Sequence, residues 1–141
     1  MIVDANILLY ATDSSSPFHG RARSWLEDAM NGPGRVGFPW PALIAFLRLC
    51  THPRAVANPL TSREAWDLME GWLAGPAAWI PLPGSRHAEI LRRLTIEGDL
   101  SGNLISDAHL AALAIENGVG VCSADSDFAR FPGLDWVNPV R

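Results

Sequence analysis

The feature that most constrains this chain lies in its first ten residues. The apolar pair Ile2-Val3 is followed at once by the acid Asp4, and apolar residues resume at Ile7. This pattern predicts a short buried strand that runs directly into a helical turn. The chain therefore places a carboxylate at the end of a strand, where a side chain borders both the sheet and the following helix.

Short strands and helices alternate along the rest of the chain. Further strands are predicted over residues 35–38, 79–82, 119–122 and 134–137. Helical spacing and stop signals predict helices over residues 16–30, 39–49, 61–73, 85–94 and 104–115, the second of them buried on most sides. This alternation predicts one three-layer α/β/α domain over residues 1–141, with a mostly parallel central sheet.

Composition excludes several classes of protein. All 11 basic residues are arginine, which excludes the phosphate-loop NTPases because they need a lysine. The two cysteines are far apart, which fits a reducing, cytoplasmic setting better than a disulfide framework. No apolar stretch approaches the ~20 residues of a bilayer span, so no membrane association is expected.

Four acids stand where burial is expected. Asp4 follows the first strand, Asp107 interrupts an apolar helix, and Asp125 and Asp127 follow the fourth strand. Each has a simpler interpretation as a helix cap or turn residue. Together they suit a shared divalent cation, because Mg²⁺ and Mn²⁺ prefer oxygen ligands and can activate a water that attacks a phosphodiester. Without the four aspartates the chain has as many acidic as basic residues, so the net charge of −4 comes from the proposed metal site. This charge therefore does not argue against an RNA substrate.

Three motifs carry a resemblance to a known family. They are Ile2-Val3-Asp4-Ala5-Asn6, the run from Gly102 to Ala112, and Ser123-Ala124-Asp125-Ser126-Asp127-Phe128. In this order they resemble PIN-domain ribonucleases, most of all the VapC toxins of bacterial toxin–antitoxin pairs. The resemblance extends over the whole chain and includes the tail Phe131-Pro132-Gly133-Leu134.

The resemblance implies a metal-dependent endoribonuclease that is homodimeric and is held inactive by a small VapB-type antitoxin. In the family pattern Asp4, Asp107 and Asp125 match the acids that bind Mg²⁺ or Mn²⁺. Asp127 is a further catalytic acid, and Asn6 and Ser123 support the others.

One position departs from the family pattern. Family members commonly carry a glutamate on the third helix, where this chain has Ala45, and no acid occurs between Ala29 and Arg63. A site that lacks one carboxylate is expected to bind its cation more weakly or to hold one ion instead of two.

Arginines are the candidate contacts to RNA phosphates, because the guanidinium fork matches a phosphate group. Arg48 and Arg130 are the first candidates, and Arg54, Arg92 and Arg93 are others. The four histidines lack the spacing of metal ligands and are assigned no metal.

Two alternative functions remain open from the sequence. Ala45 would suit a PIN-like module whose site has degraded and which binds RNA or a protein without cleaving it. A phosphate-transfer enzyme such as an aspartyl phosphatase or a receiver domain is less suitable. Those families need a second acid near Asp4 or a late lysine, and this chain has Asn6 and no lysine.

Overall fold

The computed structural model describes residues 1–141 and contains a five-stranded sheet with the strand order β3-β2-β1-β4-β5. The strands are β1 (Ile2–Val3), β2 (Val36–Gly37), β3 (Ala78–Trp79), β4 (Val121–Cys122) and β5 (Trp136–Val137). The helices are α1 (Ala5–Thr12), α2 (His19–Asn31), α3 (Trp40–Cys50), α4 (Ser62–Leu73), α5 (His87–Glu97) and α6 (Asn103–Glu116), and a 3₁₀ helix spans Ser126–Arg130.

β1 is the central strand, and every strand pair in the sheet is parallel. Ile2 is in register with Gly37 on one side and with Val121 on the other. The strands are shorter than the sequence pattern predicts, but backbone bonds extend the pairing: the amide of Asp4 donates to the carbonyl of Cys122 at 3.0 Å. The parallel arrangement brings the carboxyl ends of β1 and β4 side by side.

The two residues of β1 face opposite sides of the sheet, as expected for a strand. Val3 belongs to an apolar cluster with residues of α1, α2, α3 and α4. Ile2 belongs to a second cluster built with α5, α6 and the 3₁₀ helix. Both faces of the sheet are therefore covered by helices, which gives the predicted three layers.

Two local predictions differ from the structure. The prediction that α3 is buried on most sides is wrong: Ile44 is 59% exposed and Trp40 is 39% exposed, because only one face of the helix packs on the sheet. α2 begins at His19 rather than near Ser16, since the Ser16 hydroxyl accepts a bond from the amide of Phe18 and closes a separate turn first.

Membrane insertion of a helix finds no support in this fold. None of the helices combines the length and the apolar content that crossing a bilayer requires.

Candidate active site

The carboxyl ends of β1 and β4 carry the polar residues that the sequence singled out. Asp4 follows β1 directly, and Ser123 and Asp125 follow β4. Because the two strands are adjacent and parallel, these residues meet at one edge of the sheet. Asp107 reaches the same edge from the first turns of α6.

Asp4 is held by hydrogen bonds to both of its carboxylate oxygens. The Oδ1 atom accepts from the amide of Ala5 at 2.8 Å, so Asp4 caps the N-terminus of α1. The Oδ2 atom accepts from the hydroxyl of Ser123 at 2.7 Å and from Nδ2 of Asn6 at 3.2 Å. The orientation of this carboxylate is thereby defined by donors from both strand ends.

Asn6 and Ser123 connect the two strand ends to each other. Nδ2 of Asn6 lies 3.1 Å from the Ser123 oxygen, and Oδ1 of Asn6 accepts from the amide of Ala124 at 3.1 Å. The Ser123 oxygen also accepts from the amide of Asp125 at 3.0 Å. Ser123 is completely buried, so its hydroxyl is a fixed part of this arrangement.

Three carboxylates converge beside this network. Asp107, Asp125 and Asp127 each offer one oxygen, and these oxygens all lie within 4.8 Å of one another. Asp125 also caps the 3₁₀ helix, since its Oδ1 accepts from the amide of Asp127 at 2.9 Å. Three partly buried carboxylates at this spacing form a donor set that fits a hard divalent cation.

The group of three differs from the trio that the resemblance implies. Asp127 belongs to it, whereas Asp4 lies next to it with both oxygens already hydrogen-bonded. Asp4 is nevertheless close enough for its charge to raise the pKa of Asp107. The four predicted acids thus lie in one region.

The electrostatics of the site favour a cation. Burial, followed by the charges of Asp125, Asp4 and Asp127, raises the pKa of Asp107 to about 6. Burial is also the main cause that raises the pKa of Asp4, and the charge of Asp125 adds to it. In both cases the negative form is disfavoured, and a bound cation would compensate for this cost.

The other predicted residues lie at different distances from these acids. Arg130 is at the rim, with its Nη2 atom 3.2 Å from Oδ1 of Asp127. Arg48 is exposed in the last turn of α3 and forms no ion pair with the acids. Ala45 is half-buried within α3, and this helix contributes no carboxylate.

A histidine pair was not predicted from the sequence. Nε2 of the buried His87 on α5 lies 3.0 Å from Nδ1 of His109 on α6, and Nδ1 of His87 is 4.0 Å from the Glu116 carboxylate. The two histidines are far apart in the sequence and on different helices, so no spacing pattern indicates their contact. His109 is only two positions from Asp107 in the sequence, but it contacts a residue of α5 and does not belong to the three-carboxylate group.

Comparisons with known proteins agree with this fold. The model of the PIN domain matches residues 1–134. Ribonuclease VapC37 of Mycobacterium tuberculosis is 45% identical over 138 residues, which cover 98% of this chain and 96% of that protein. Ribonuclease VapC33 of the same species is 39% identical over 141 residues, which cover 100% of this chain and 99% of that protein.

Solved structures share the architecture at low sequence identity. VapBC2 from Rickettsia felis bound to a promoter DNA fragment matches with a TM-score of 0.71 and 15% identity, over 97% of this chain and 96% of that one. The sarcin-ricin loop cleaving toxin VapC20 of M. tuberculosis matches with a TM-score of 0.66 and 18% identity, over 98% of both chains. These matches confirm the predicted α/β/α fold, and together with the family match and the near full-length relatives they show that the chain belongs to the PIN-domain family.

Proposed function

We propose that this protein is a Mg²⁺- or Mn²⁺-dependent endoribonuclease that acts as the toxin of a toxin–antitoxin pair. The observation that carries the proposal is the convergence of Asp107, Asp125 and Asp127 within 4.8 Å at the carboxyl ends of the strands. The relatives named ribonuclease VapC support the substrate class, since they are similar over nearly the whole chain.

In this proposal Asp107, Asp125 and Asp127 hold the divalent ion, and Asp4 adds negative charge beside them. The ion, when bound, supplies activation of a water nucleophile and stabilisation of the leaving oxygen of an RNA phosphodiester. Asn6 and Ser123 are positioning residues because they orient Asp4. Arg130 orients Asp127 and places a positive charge at the rim, where an RNA phosphate approaches.

The proposed partners follow from the relatives and structural neighbours. VapBC2 and FitAcB of Neisseria gonorrhoeae, which matches with a TM-score of 0.61, support a small VapB-type antitoxin as the partner of this chain. We also propose that residues 1–141 act as one domain, that the protein is a homodimer, and that it works in the cytoplasm. The alternative of a degraded binding module is not favoured, because the carboxylate group is intact apart from the position of Ala45.

The test is RNA cleavage by the full chain after removal of any co-purified antitoxin. Cleavage of single-stranded RNA is expected with Mg²⁺ or Mn²⁺ and not in excess chelator. Asp107→Asn is expected to lower the cleavage rate by about 100-fold or more, a loss typical for removal of a group that acts in the transition state. Asp99→Asn is the matched control, because Asp99 is an exposed acid in the loop before α6.

Two results would contradict the proposal. Equal cleavage with and without chelator would contradict the metal mechanism. Full activity of Asp107→Asn would show that the three-carboxylate group is not the active site.

A further inference from the structure

A cavity of about 510 Å³ borders the proposed site through Arg130, and the proposed mechanism assigns no role to its other lining residues. It lies between the C-terminal half of α5 and the segment that follows the 3₁₀ helix, and its lining includes Arg93, Glu97, Arg130 and Phe131. Its volume falls in the range of sites that hold small ligands. We call it the α5 cavity.

Arg130 joins the α5 cavity to the proposed cleavage site. Its side chain lines the cavity, and its Nη2 atom is 3.2 Å from Oδ1 of Asp127. The positive charge of Arg130 also acts on Asp107, whose pKa it lowers against the neighbouring acids. A chain of nucleotides that crosses the three-carboxylate group therefore has the α5 cavity directly alongside.

Arg93 is the second guanidinium of the cavity and is free to bind an anion. It lies one helical turn before Glu97 on α5, yet it forms no ion pair with Glu97 or with any other acid. Two arginines that line the same cavity, one from α5 and one from the end of the 3₁₀ helix, suit a phosphate, because each guanidinium can donate two parallel hydrogen bonds to it.

The rest of the lining favours a nucleotide over a simple anion. Leu94, Leu100 and Phe131 supply apolar surface, which a phosphate ion alone does not need. The carboxylate of Glu97 repels a free anion but can accept hydrogen bonds from the donors on a base edge. An unstacked base on apolar and arginine surfaces is the usual way in which proteins recognise single-stranded RNA.

We propose that the α5 cavity binds one nucleotide of single-stranded RNA next to the phosphate that is cleaved. Arg93 and Arg130 contact its phosphate, the apolar residues contact its base, and Glu97 reads the base edge. The proposal rests on the proposed ribonuclease function, which it extends to the binding of the substrate.

The test measures the affinity of the full chain for a short fluorescein-labelled single-stranded RNA by fluorescence anisotropy. An Asp107→Asn background prevents cleavage during the measurement. Arg93→Ala in this background is expected to raise the Kd about tenfold and to lower the dependence of log Kd on log salt by about 0.7, the values for loss of one phosphate contact. Arg92→Ala is the matched control, because Arg92 is the adjacent exposed arginine on α5 and does not line the cavity.

A second measurement locates the base. Photo-crosslinking of the same RNA with 5-bromouridine at one position is expected to modify the peptide that contains Phe131. Equal affinities of the Arg93→Ala and Arg92→Ala proteins would overturn the proposal, as would crosslinks confined to other surfaces. Antitoxin binding that is weakened by Arg93→Ala while RNA binding is unchanged would assign the cavity to the protein partner and would also overturn it.

Failure of this proposal can be told apart from failure of the proposed function. If the α5 cavity does not bind RNA, the wild-type protein still cleaves RNA with metal and Arg93→Ala leaves cleavage unchanged. If the protein is not a nuclease, no metal supports cleavage, whereas the anisotropy measurement still reports whether Arg93 contacts RNA.

Discussion

The hydroxyl of Ser123 donates a 2.7 Å hydrogen bond to Oδ2 of Asp4, across 119 residues of sequence. The bond joins the ends of the neighbouring parallel strands β1 and β4 at the point where the acids converge. The hydroxyl oxygen of Ser123 also accepts hydrogen bonds from Nδ2 of Asn6 and from the amide of Asp125. One buried hydroxyl thus connects Asp4 to the segment that carries Asp125 and Asp127.

Replacement of this hydroxyl is expected to affect both folding and catalysis. Ser123→Ala removes one donor to Asp4 and leaves the amide of Asp125 without its acceptor, so we expect a loss of about 1–3 kcal/mol in the free energy of unfolding. We also expect slower RNA cleavage with little change in KM, because Asp4 loses its orientation. Urea denaturation and single-turnover cleavage measure the two effects. Ser123→Thr keeps the hydroxyl, and a cleavage rate as low as that of Ser123→Ala would contradict this role.

The pH dependence of stability reports the charge cost at Asp107. In the metal-free protein its pKa is about 6, above the value of 3.8 that it has without the folded surroundings. The protonated form is therefore favoured by folding, and the contribution of Asp107 to stability is complete below pH 3.8 and is lost as the pH rises through about 6. Asp107→Asn is expected to raise the melting temperature of the metal-free protein at neutral pH and to have a smaller effect near pH 4.

The difference between variant and wild type isolates Asp107 from other titrating groups. His109 is one of these groups, because burial and the charge of His87 lower its pKa. Its contribution to the free energy of unfolding is lost as the pH falls, whereas that of Asp107 is lost as the pH rises. Thermal melts at several pH values in chelator provide the measurement. A melting-temperature difference that does not grow between pH 4 and neutral pH would show that ionisation of Asp107 does not destabilise the folded protein.

Metal binding should stabilise the folded protein. A ligand that binds only the folded state at 100 times its Kd adds about 2.7 kcal/mol to the free energy of unfolding. We expect Mn²⁺ or Mg²⁺ to raise the melting temperature of the wild type in a saturable way, and Asp125→Asn to abolish most of the shift. The exposed-acid variant Asp99→Asn is expected to respond as the wild type does. An equal shift in all three proteins would indicate nonspecific binding.

The ion pair between Arg130 and Asp127 should matter little for stability. Its two side chains are 43% and 46% exposed, and exposed pairs contribute less than about 1 kcal/mol. Arg130→Ala is therefore expected to leave the unfolding curve nearly unchanged while it weakens RNA binding. Urea denaturation and anisotropy measure the two properties. A large loss of stability would show that Arg130 has a structural role instead.

Much of this fold follows from patterns that the sequence makes visible. The apolar pair before Asp4 and the apolar run before Ser123 mark the strands β1 and β4, and turn residues separate the helices. The parallel order of strands then brings Asp4 and Asp125 to one edge, as predicted. The first residue of α2 and the exposed face of α3 could not be predicted, because they depend on local turns and on which helix face packs against the sheet.

Other parts of the site depend on contacts between distant segments. The sequence shows that Asp107 interrupts an apolar helix, but not that its carboxylate meets Asp127 rather than Asp4. Likewise the adjacent residues Arg92 and Arg93 look equivalent in sequence, and only the packing of α5 beside the 3₁₀ helix places Arg93 on the cavity. Such choices arise from the tertiary structure and leave no local periodicity.

The capping roles of Asp4 and Asp125 tie inactivation of this protein to its folding. Each carboxylate caps a helix, and Asp125 also belongs to the proposed cation site, with Asp4 beside it. Asparagine serves as a helix cap almost as well as aspartate, whereas alanine does not. A mutation to asparagine is therefore expected to lower activity while the folded protein still binds the antitoxin. A mutation to alanine is expected to cost a further amount of about 0.5–2 kcal/mol of stability and thereby to lower the amount of folded protein. Cells that carry the asparagine variant would therefore contain less free antitoxin than cells that carry the alanine variant.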